Sequence, residues 1–497
     1  MLSLFLREDP SLALATDLYE LSMAQGYWKN EVVDTEAEFH MFYRQNPFDG
    51  GYVVWAGLAD LIDVLRDFCF SRSDLDYLAE LPDRKGLPLF DPDFLAYLEG
   101  FRFRCDVHAV PEGTVVFPNE PLIRVQGPIL QAQLIETLLL NIVNFQSLIA
   151  TKAARTVMAA QGDPVVDFGL RRAQGLDGGF SASRGAYIGG CAGTSNVLAG
   201  KQLGIQVVGT FAHSWVMAFK DEREAFEAFA RAMPNNCVFL VDTYDTMEGV
   251  RNAIEVGLHL REQGHAIMGV RLDSGDLAYL SVQARKMLDE AGLHDAVVIA
   301  SGDLDEWLIR SLKSQGAKIG VWGLGTRLVT AHGDPALGGV YKLTALRPRG
   351  EGKWQYKLKV SEQKLKTSVP GLLQVYRCSN GDGKFIADAI IDVSELPEQV
   401  SRIIDPHDNT KTKSLKGCVH PEPLLIPVIE KGRAVYQSPP LDAIRQRVQE
   451  QLGRLDSGHK RFEHPHIYPV GLSPHLNRLR DGMIAQARAL NGNGLNP

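Results

Sequence analysis

Ile205–Lys220 reads IQVVGTFAHSWVMAFK. The run Ile205-Gln206-Val207-Val208 is apolar and β-branched, which predicts a buried strand. Gly209-Thr210 predicts a turn at its end. His213 follows, and Trp215-Val216-Met217-Ala218-Phe219 continues with helical texture. Open and closed α/β folds place their chemistry just beyond the C-terminal ends of parallel strands, where His213 falls. Imidazole can carry a proton or a phosphoryl group near neutral pH. A core histidine bonded to a backbone carbonyl accounts for the spacing equally well.

The same strand-then-polar-end texture recurs on both sides. Strand ends are expected at Val165-Val166-Asp167, Val207-Val208-Gly209-Thr210, Phe239-Leu240-Val241-Asp242, Gly269-Val270-Arg271-Leu272-Asp273, Val298-Ile299-Ala300-Ser301-Gly302-Asp303 and Val321-Trp322-Gly323-Leu324-Gly325-Thr326. Their spacing centres on about 31 residues, the repeat of a (β/α)₈ barrel. Helices are expected between them over 222–233, 247–262, 277–291 and 304–315. Six units point to an irregular barrel over 131–339, with a doubly wound open sheet as the alternative.

Outside this region the pattern changes. Helices are expected over 15–28, 56–70 and 131–160, with a strand over 37–43. The stretch 101–128, FRFRCDVHAVPEGTVVFPNEPLIRVQGP, is short β-runs broken by Pro and Gly, and 340–360 alternates like a hairpin. The two predict one discontinuous β-rich domain, 1–130 plus 340–420. Amphipathic helices over 441–455 and 473–490 predict a helical C-terminal segment, 421–497.

With 497 residues the chain is long for a single core, and its formal net charge of −8 gives no sign of nucleic-acid binding. The composition is that of a soluble globular protein, 45% hydrophobic and 23% charged. No run of about 18 apolar residues predicts a membrane span. The opening MLSLFLREDP is too short in apolar residues for a signal peptide. Cys69, Cys105, Cys191, Cys237, Cys378 and Cys418 are scattered without metal spacing, which fits free thiols in the cytoplasm.

The polar strand ends share one face, and their chemistry converges. Gly302, Gly323, Gly325 and Thr326 belong to two consecutive glycine turns of the kind that cradle phosphate. Arg271 inside a strand demands an anionic partner, either a ligand carboxylate or Asp273 or Asp303. Arg171 and Arg172 add positive charge to the rim. Asp242, Asp273 and Asp303 can orient arginines, hold a hydrated Mg²⁺, bind ribose hydroxyls or cap helices. Such a face suits a multiply phosphorylated substrate together with a small anion.

These runs, together with TDLYELSMAQGYW from Thr16, VDFGLRRAQG from Val166, GTFAHSWV from Gly209 and GVRLDSGDL from Gly269, closely resemble nicotinate phosphoribosyltransferase. The resemblance runs from residue 16 to about 376. The loop SEQKLKTSVPG from Ser361 departs from it, being longer and more basic. The resemblance implies the irregular barrel of the type II phosphoribosyltransferase kind. It implies transfer from 5-phosphoribosyl 1-pyrophosphate to nicotinate, coupled to ATP hydrolysis and assisted by Mg²⁺, as the first step of NAD salvage from nicotinate. His213 would be the phosphorylated histidine. Tyr19, Thr210, Phe168 and Arg271 would contact nicotinate. Arg171, Ser301, Gly302, Asp303, Gly323, Gly325 and Thr326 would hold the phosphoribosyl and phosphate groups, with Asp242 and Asp273 as supporting carboxylates. A homodimer with shared sites is implied, Tyr19 serving the neighbouring subunit. Transfer to nicotinamide or quinolinate, or a non-catalytic nucleotide-sensing barrel, are the competing readings.

Overall fold

The computed structural model describes residues 11–360 and 367–492. The opening decapeptide and the 361–366 part of the SEQKLKTSVPG loop therefore lie outside the described residues. The chain divides into two compact units, Met1–Leu148 with Ala336–Pro497, and Ile149–Pro335.

The Ile149–Pro335 unit is built on a parallel sheet. Its strands are Val165–Asp167, Gly193–Thr194, Val238–Leu240, Gly269–Leu272, Val297–Ala300 and Val321–Leu324. In space the order runs 193–194, 165–167, 321–324, 297–300, 269–272, 238–240. Five of the strands fall at the expected strand ends. Val270, Val298, Trp322 and Phe239 are fully buried or nearly so, so burial of near-continuous apolar runs holds the sheet.

The sixth expected strand is different. Ile205–Val208 forms only one bridge, Thr194 with Val207. Its ladder is two hydrogen bonds, Thr194 N to Gln206 O and Val208 N to Thr194 O, both 3.0 Å. Val207 remains 47% exposed, so its apolar character secures no burial there. No strand ladder among the described residues closes the ring. The gap is spanned by a side chain: the Thr210 hydroxyl donates to Val238 O at 2.5 Å. The barrel is irregular here, with side-chain contacts where a regular barrel has a ladder.

Helices Glu222–Ala232, Thr246–Glu262, Leu277–Glu290 and Glu306–Ser314 follow the expected spans closely. Each starts at an aspartate, Asp221, Asp245, Asp276 or Asp305, whose carboxylate accepts from amides of the first turn. Such caps contribute about 1 kcal/mol each.

The other unit carries two larger sheets. One is antiparallel and joins Glu36–Tyr43 to both Gly339–Arg347 and Ile123–Pro128, then continues through Asp106–Ala109 to Ile426–Glu430 and Arg433–Ala434. The discontinuous β-rich domain thus forms by pairing early strands with late ones. The second sheet contains Leu373–Ser379, Phe385–Asp392, His420–Pro423 and Val470–Leu472. The C-terminal segment holds the expected helices, Leu441–Arg454 and Pro474–Gly492, and also lends strands to both sheets. The expected helix over 131–160 is two, Ile129–Leu134 and Glu136–Ala159. Among the described residues no helix is long and apolar enough to cross a membrane.

A polar row crosses a sheet of this unit, buried at His40 and half-buried at its other members. Lys342, His40, Arg124 and His108 occupy directly opposed positions across four strands. Glu38 lies beside them, with Oε1 3.3 Å from His40 Nε2 and 3.3 Å from Arg124 Nε. Burial raises the Glu38 carboxyl to about 8, Arg124 opposing and Asp392 and Asp106 adding to the rise. Burial, reinforced by Arg124, lowers His40 to about 3. At neutral pH the proton sits on Glu38 and both groups are neutral.

The folded chain therefore holds a proton that the unfolded chain releases between pH 4.5 and about 8. Stability from this group is complete below pH 4.5 and declines as pH rises through about 8, at up to roughly 1.4 kcal/mol per pH unit. Neutral His40 contributes the opposite slope below about pH 6.5, so denaturant titrations should show the Glu38 slope in the wild type between about 6.5 and 8. Glu38→Gln should reduce it by one proton; an identical slope in both would place the raised carboxyl elsewhere.

Candidate active site

Four strand ends of the parallel sheet assemble a polar cavity of about 300 Å³. Phe168, Arg171, Arg172, Arg271, Asp273, Ser301, Gly302, Asp303, Gly323, Gly325 and Thr326 line it. The volume lies at the low end for small-molecule sites.

Arg271 is next to last in its strand, and its side chain is 14% exposed. Nε donates to Ser301 Oγ at 2.7 Å and Nη2 to Asp273 Oδ1 at 2.7 Å. Ser301 Oγ donates in turn to Asp273 Oδ1 at 2.5 Å. Of the two carboxylates the sequence offered as partners, Asp273 is the one engaged. Burial pushes the Asp273 carboxyl up, but the bonds from Ser301 and Arg271, and the charges of Arg271 and His213, together hold it below the ordinary range. Among the described residues Arg271 Nη1 makes no hydrogen bond, so one edge of the fork is left over.

The Phe168 ring lies 5.8 Å from the Arg271 guanidinium and against Gly323, where a Cβ would meet the ring at 2.6 Å. A side chain at 323 would displace this aromatic plate. Gly302 has φ +109°, and a Cβ there would sit 2.8 Å from Asp273 O. Glycine at 302 thus permits both the left-handed backbone and close approach to the next strand end. The amides of Gly302, Gly325 and Thr326 find no acceptor among the described residues. They remain available to an anion beside Arg171 and Arg172, both exposed.

Behind the cavity wall, Asp242 Oδ2 accepts from Asp273 N at 2.9 Å and from Ser274 Oγ at 2.8 Å. Its Oδ1 is buried without a hydrogen-bond partner. Asp242, Asp273 and Asp303 are not helix caps; that task falls to Asp245, Asp276 and Asp305, two or three residues further on. The short loops between strand end and helix leave Asp273 and Asp303 lining the cavity, with Asp242 behind its wall.

His213 begins the short helix His213–Met217. It does not line the cavity, but its charge is felt at Asp273. Phe211 and Trp215, on either side, anchor it in an aromatic cluster with Phe226, Phe229 and Phe239. Trp215 Nε1 also donates to Ala225 O at 3.0 Å. Nδ1 of His213 lies 3.1 Å from Thr243 Oγ1, and Nε2 makes no bond among the described residues. Thr210 does not line the cavity either, its hydroxyl proton being committed to Val238 O. Tyr19 belongs to the other unit, on the helix Leu18–Lys29, and is 48% exposed.

Asp167 ends a strand, as expected, yet serves as a buried hub. Its carboxylate accepts from Gly169 N (2.8 Å), Ser183 Oγ (2.9 Å) and Thr194 Oγ1 (2.7 Å), which fixes the turn carrying Phe168. Nothing in the spacing of Ser183 and Thr194 signals this role.

Glycine turns, arginines and carboxylates at the C-terminal ends of a parallel sheet make an α/β site of a kind suited to anionic ligands. Comparison with known proteins narrows this. Residues 14–144 match the nicotinate phosphoribosyltransferase N-terminal domain, 164–372 the nicotinate phosphoribosyltransferase family, and 373–480 its C-terminal domain. The chain is 46% identical to the nicotinate phosphoribosyltransferase of Bacillus subtilis over 473 residues, 94% of each chain. It is 35% identical to that of Bos taurus, covering 95% of this chain and 97% of the relative. The crystal structure of human nicotinic acid phosphoribosyltransferase superimposes with a TM-score of 0.82 at 32% identity, over 94% of this chain and 99% of that one. The chain belongs to the nicotinate phosphoribosyltransferase family.

Gly302→Ala tests the cavity floor. The added methyl should lower unfolding free energy by about 1 kcal/mol or more, since alanine is strained at positive φ. It should also loosen the Asp273–Arg271 pair, seen as a larger loss of ligand binding than of stability. Unchanged binding would free Gly302 from the site.

Proposed function

We propose that this chain transfers the phosphoribosyl group of 5-phosphoribosyl 1-pyrophosphate to the ring nitrogen of nicotinate. The products are nicotinate mononucleotide and pyrophosphate, and ATP is hydrolysed alongside through a phosphohistidine at His213. The reaction would open the salvage route from nicotinate to NAD. The observation that carries this reading is the half-satisfied guanidinium of Arg271 beside the Phe168 plate, in a cavity with free amides and two further arginines.

The nicotinate carboxylate would accept from Arg271 Nη1, and its ring would lie on Phe168. That aims the pyridine nitrogen away from Arg271 and toward the sugar. Gly325 and Thr326 amides, with the Thr326 hydroxyl, would take the 5′-phosphate. Arg171 and Arg172 would face the pyrophosphate. Departure of pyrophosphate leaves an oxocarbenium-like sugar, so the reaction is fast only where both charges are met by fixed partners. Among the described residues no group of three or more His, Cys, Asp or Glu side chains is placed to hold a metal alone. Asp303, and Asp242 through its orphaned Oδ1, would be the carboxylates suited to the water shell of a magnesium ion, which would supply charge neutralisation for the departing pyrophosphate.

At His213, the Nδ1 contact with Thr243 leaves Nε2 as the nucleophile for the γ-phosphorus of ATP, with ADP as leaving group. Tyr19, exposed on its helix, would close the nicotinate pocket of the neighbouring subunit in a homodimer.

Product analysis with nicotinate, nicotinamide and quinolinate, with and without ATP, tests the reading as a whole. Nicotinate alone should give a mononucleotide at an appreciable rate, and ATP should raise its yield. Arg271→Lys retains charge but loses the planar fork, and should weaken nicotinate binding by about 1.5–3 kcal/mol with His213 phosphorylation intact. An unchanged nicotinate KM would make Arg271 a partner of Asp273 only.

For His213, γ-labelled ATP should leave acid-labile, base-stable label on the wild type and none on His213→Ala. Mixing His213→Ala with Tyr19→Ala chains should restore ATP-stimulated activity to at most about half of wild type. Label persisting on His213→Ala would sink the phosphohistidine; confirmed heterodimers without recovery would sink the shared site.

A further inference from the structure

Cys378 and Cys418 lie in the β-rich unit, and the transfer chemistry uses neither. Cys378 is in the strand Leu373–Ser379, opposite Pro421 of the antiparallel strand His420–Pro423. Cys418 precedes that strand, in a turn closed by its own amide donating to Leu415 O at 3.0 Å. The next amide, Val419 N, donates to Ser379 O at 3.0 Å. The turn is therefore folded back over the end of the strand that carries Cys378, which sets both thiols on the wall of one cavity.

Their surroundings differ. Cys378 is 2% exposed, within an apolar cluster that includes Ala389, Ile391, Val400 and Leu415, and Cys418 packs on the edge of that cluster. Both thiols are free, Cys378 buried and Cys418 only partly so. Both line a cavity of about 410 Å³ together with Tyr376 and Lys416. The cavity brings a small neutral oxidant to both sulfurs. Burial first, then the bond to Cys418 and its proximity, push the Cys378 thiol well up, so Cys378 stays protonated until it is called on. Cys418 is the sulfur positioned to react first.

We propose that Cys378 and Cys418 are a modification site, a dithiol that hydrogen peroxide converts to a disulfide tying the 415–419 turn to the Leu373–Ser379 strand. The steps balance. Cys418 sulfur attacks peroxide, the O–O bond breaks, and a sulfenic acid and one water form. Cys378 sulfur then attacks Cys418 sulfur; the S–S bond forms, the S–O bond breaks, and hydroxide leaves with the Cys378 thiol proton as a second water. Two thiols lose two electrons and peroxide is reduced to two waters. In a reducing compartment such a bond is transient, reopened by thiol exchange.

The test treats the reduced full-length protein with hydrogen peroxide, alkylates the remaining thiols and maps peptides by mass spectrometry. The expected product has lost two hydrogens, joins Cys378 to Cys418, unfolds at a higher temperature than the reduced form and reverts with dithiothreitol. Cys378→Ala should instead leave a Cys418 sulfenic acid that dimedone traps. Cys418→Ala should give neither a disulfide nor a dimedone adduct at Cys378. Sulfinic acid at Cys418 of the wild type with Cys378 still alkylatable, or a disulfide joining another pair, would overturn the proposal. Should the Cys378→Ala chain fold poorly, the wild-type peptide map decides alone.

Discussion

The site depends on one compensated charge. Arg271 is a permanent cation near the end of a strand, where its neighbours are Leu240 on one side and Ile299 on the other. Among apolar residues it must be answered, because an unpaired buried charge is far less favourable than a paired one. Asp273 and Ser301 answer it from two strand ends, and Asp242 then fixes the Asp273 backbone from a third. Three loops are thereby held in register by a single guanidinium. The pairing is incomplete, and that is what makes it useful: the unbonded Nη1 edge is a preorganised position for a ligand acceptor, oriented before any ligand arrives.

Backbone constraints supply the rest of the cavity. Gly302 lets one strand end approach the next, and Gly323 leaves room for the Phe168 ring. Phe168 is in turn placed by the buried Asp167, which is bonded to Gly169, Ser183 and Thr194. His213 stands apart from this cavity, on a short helix pinned by Phe211 and Trp215.

Much of this was legible in the sequence, for physical reasons that can be named. Val270, Val298 and Trp322 are buried members of continuous apolar runs, so apolar continuity gave their strands away, with polar residues at the strand ends. The four outer helices were legible from 3.6-residue periodicity. Ile205–Val208 misled because β-branched runs report a capacity for burial, and Val207 is left exposed. Gly193–Thr194 is two residues long and has no period to detect. The fate of Thr210 was invisible, since its acceptor, Val238 O, is a backbone atom 28 residues away. Likewise Glu38 and His40 stand in a strand that reads as mixed, and only pairing with Ile123–Pro128 shows them buried against Arg124. The two carboxylates after each strand, one at the rim and one capping a helix, look alike until the loop between them is seen.

Charge balance gives the reading of the substrate its direction. The cavity presents Arg171, Arg172 and Arg271 against Asp273 and Asp303, and Asp273 is already spent on Arg271. Two exposed arginines and three uncommitted amides then face solvent, more positive potential than a neutral ligand could use. A ligand lacking a carboxylate, such as nicotinamide, would leave Arg271 Nη1 desolvated and unmatched. One with two adjacent carboxylates, such as quinolinate, would set its second against Asp273. A base with a single carboxylate satisfies the one open edge of the fork and leaves no charge unanswered.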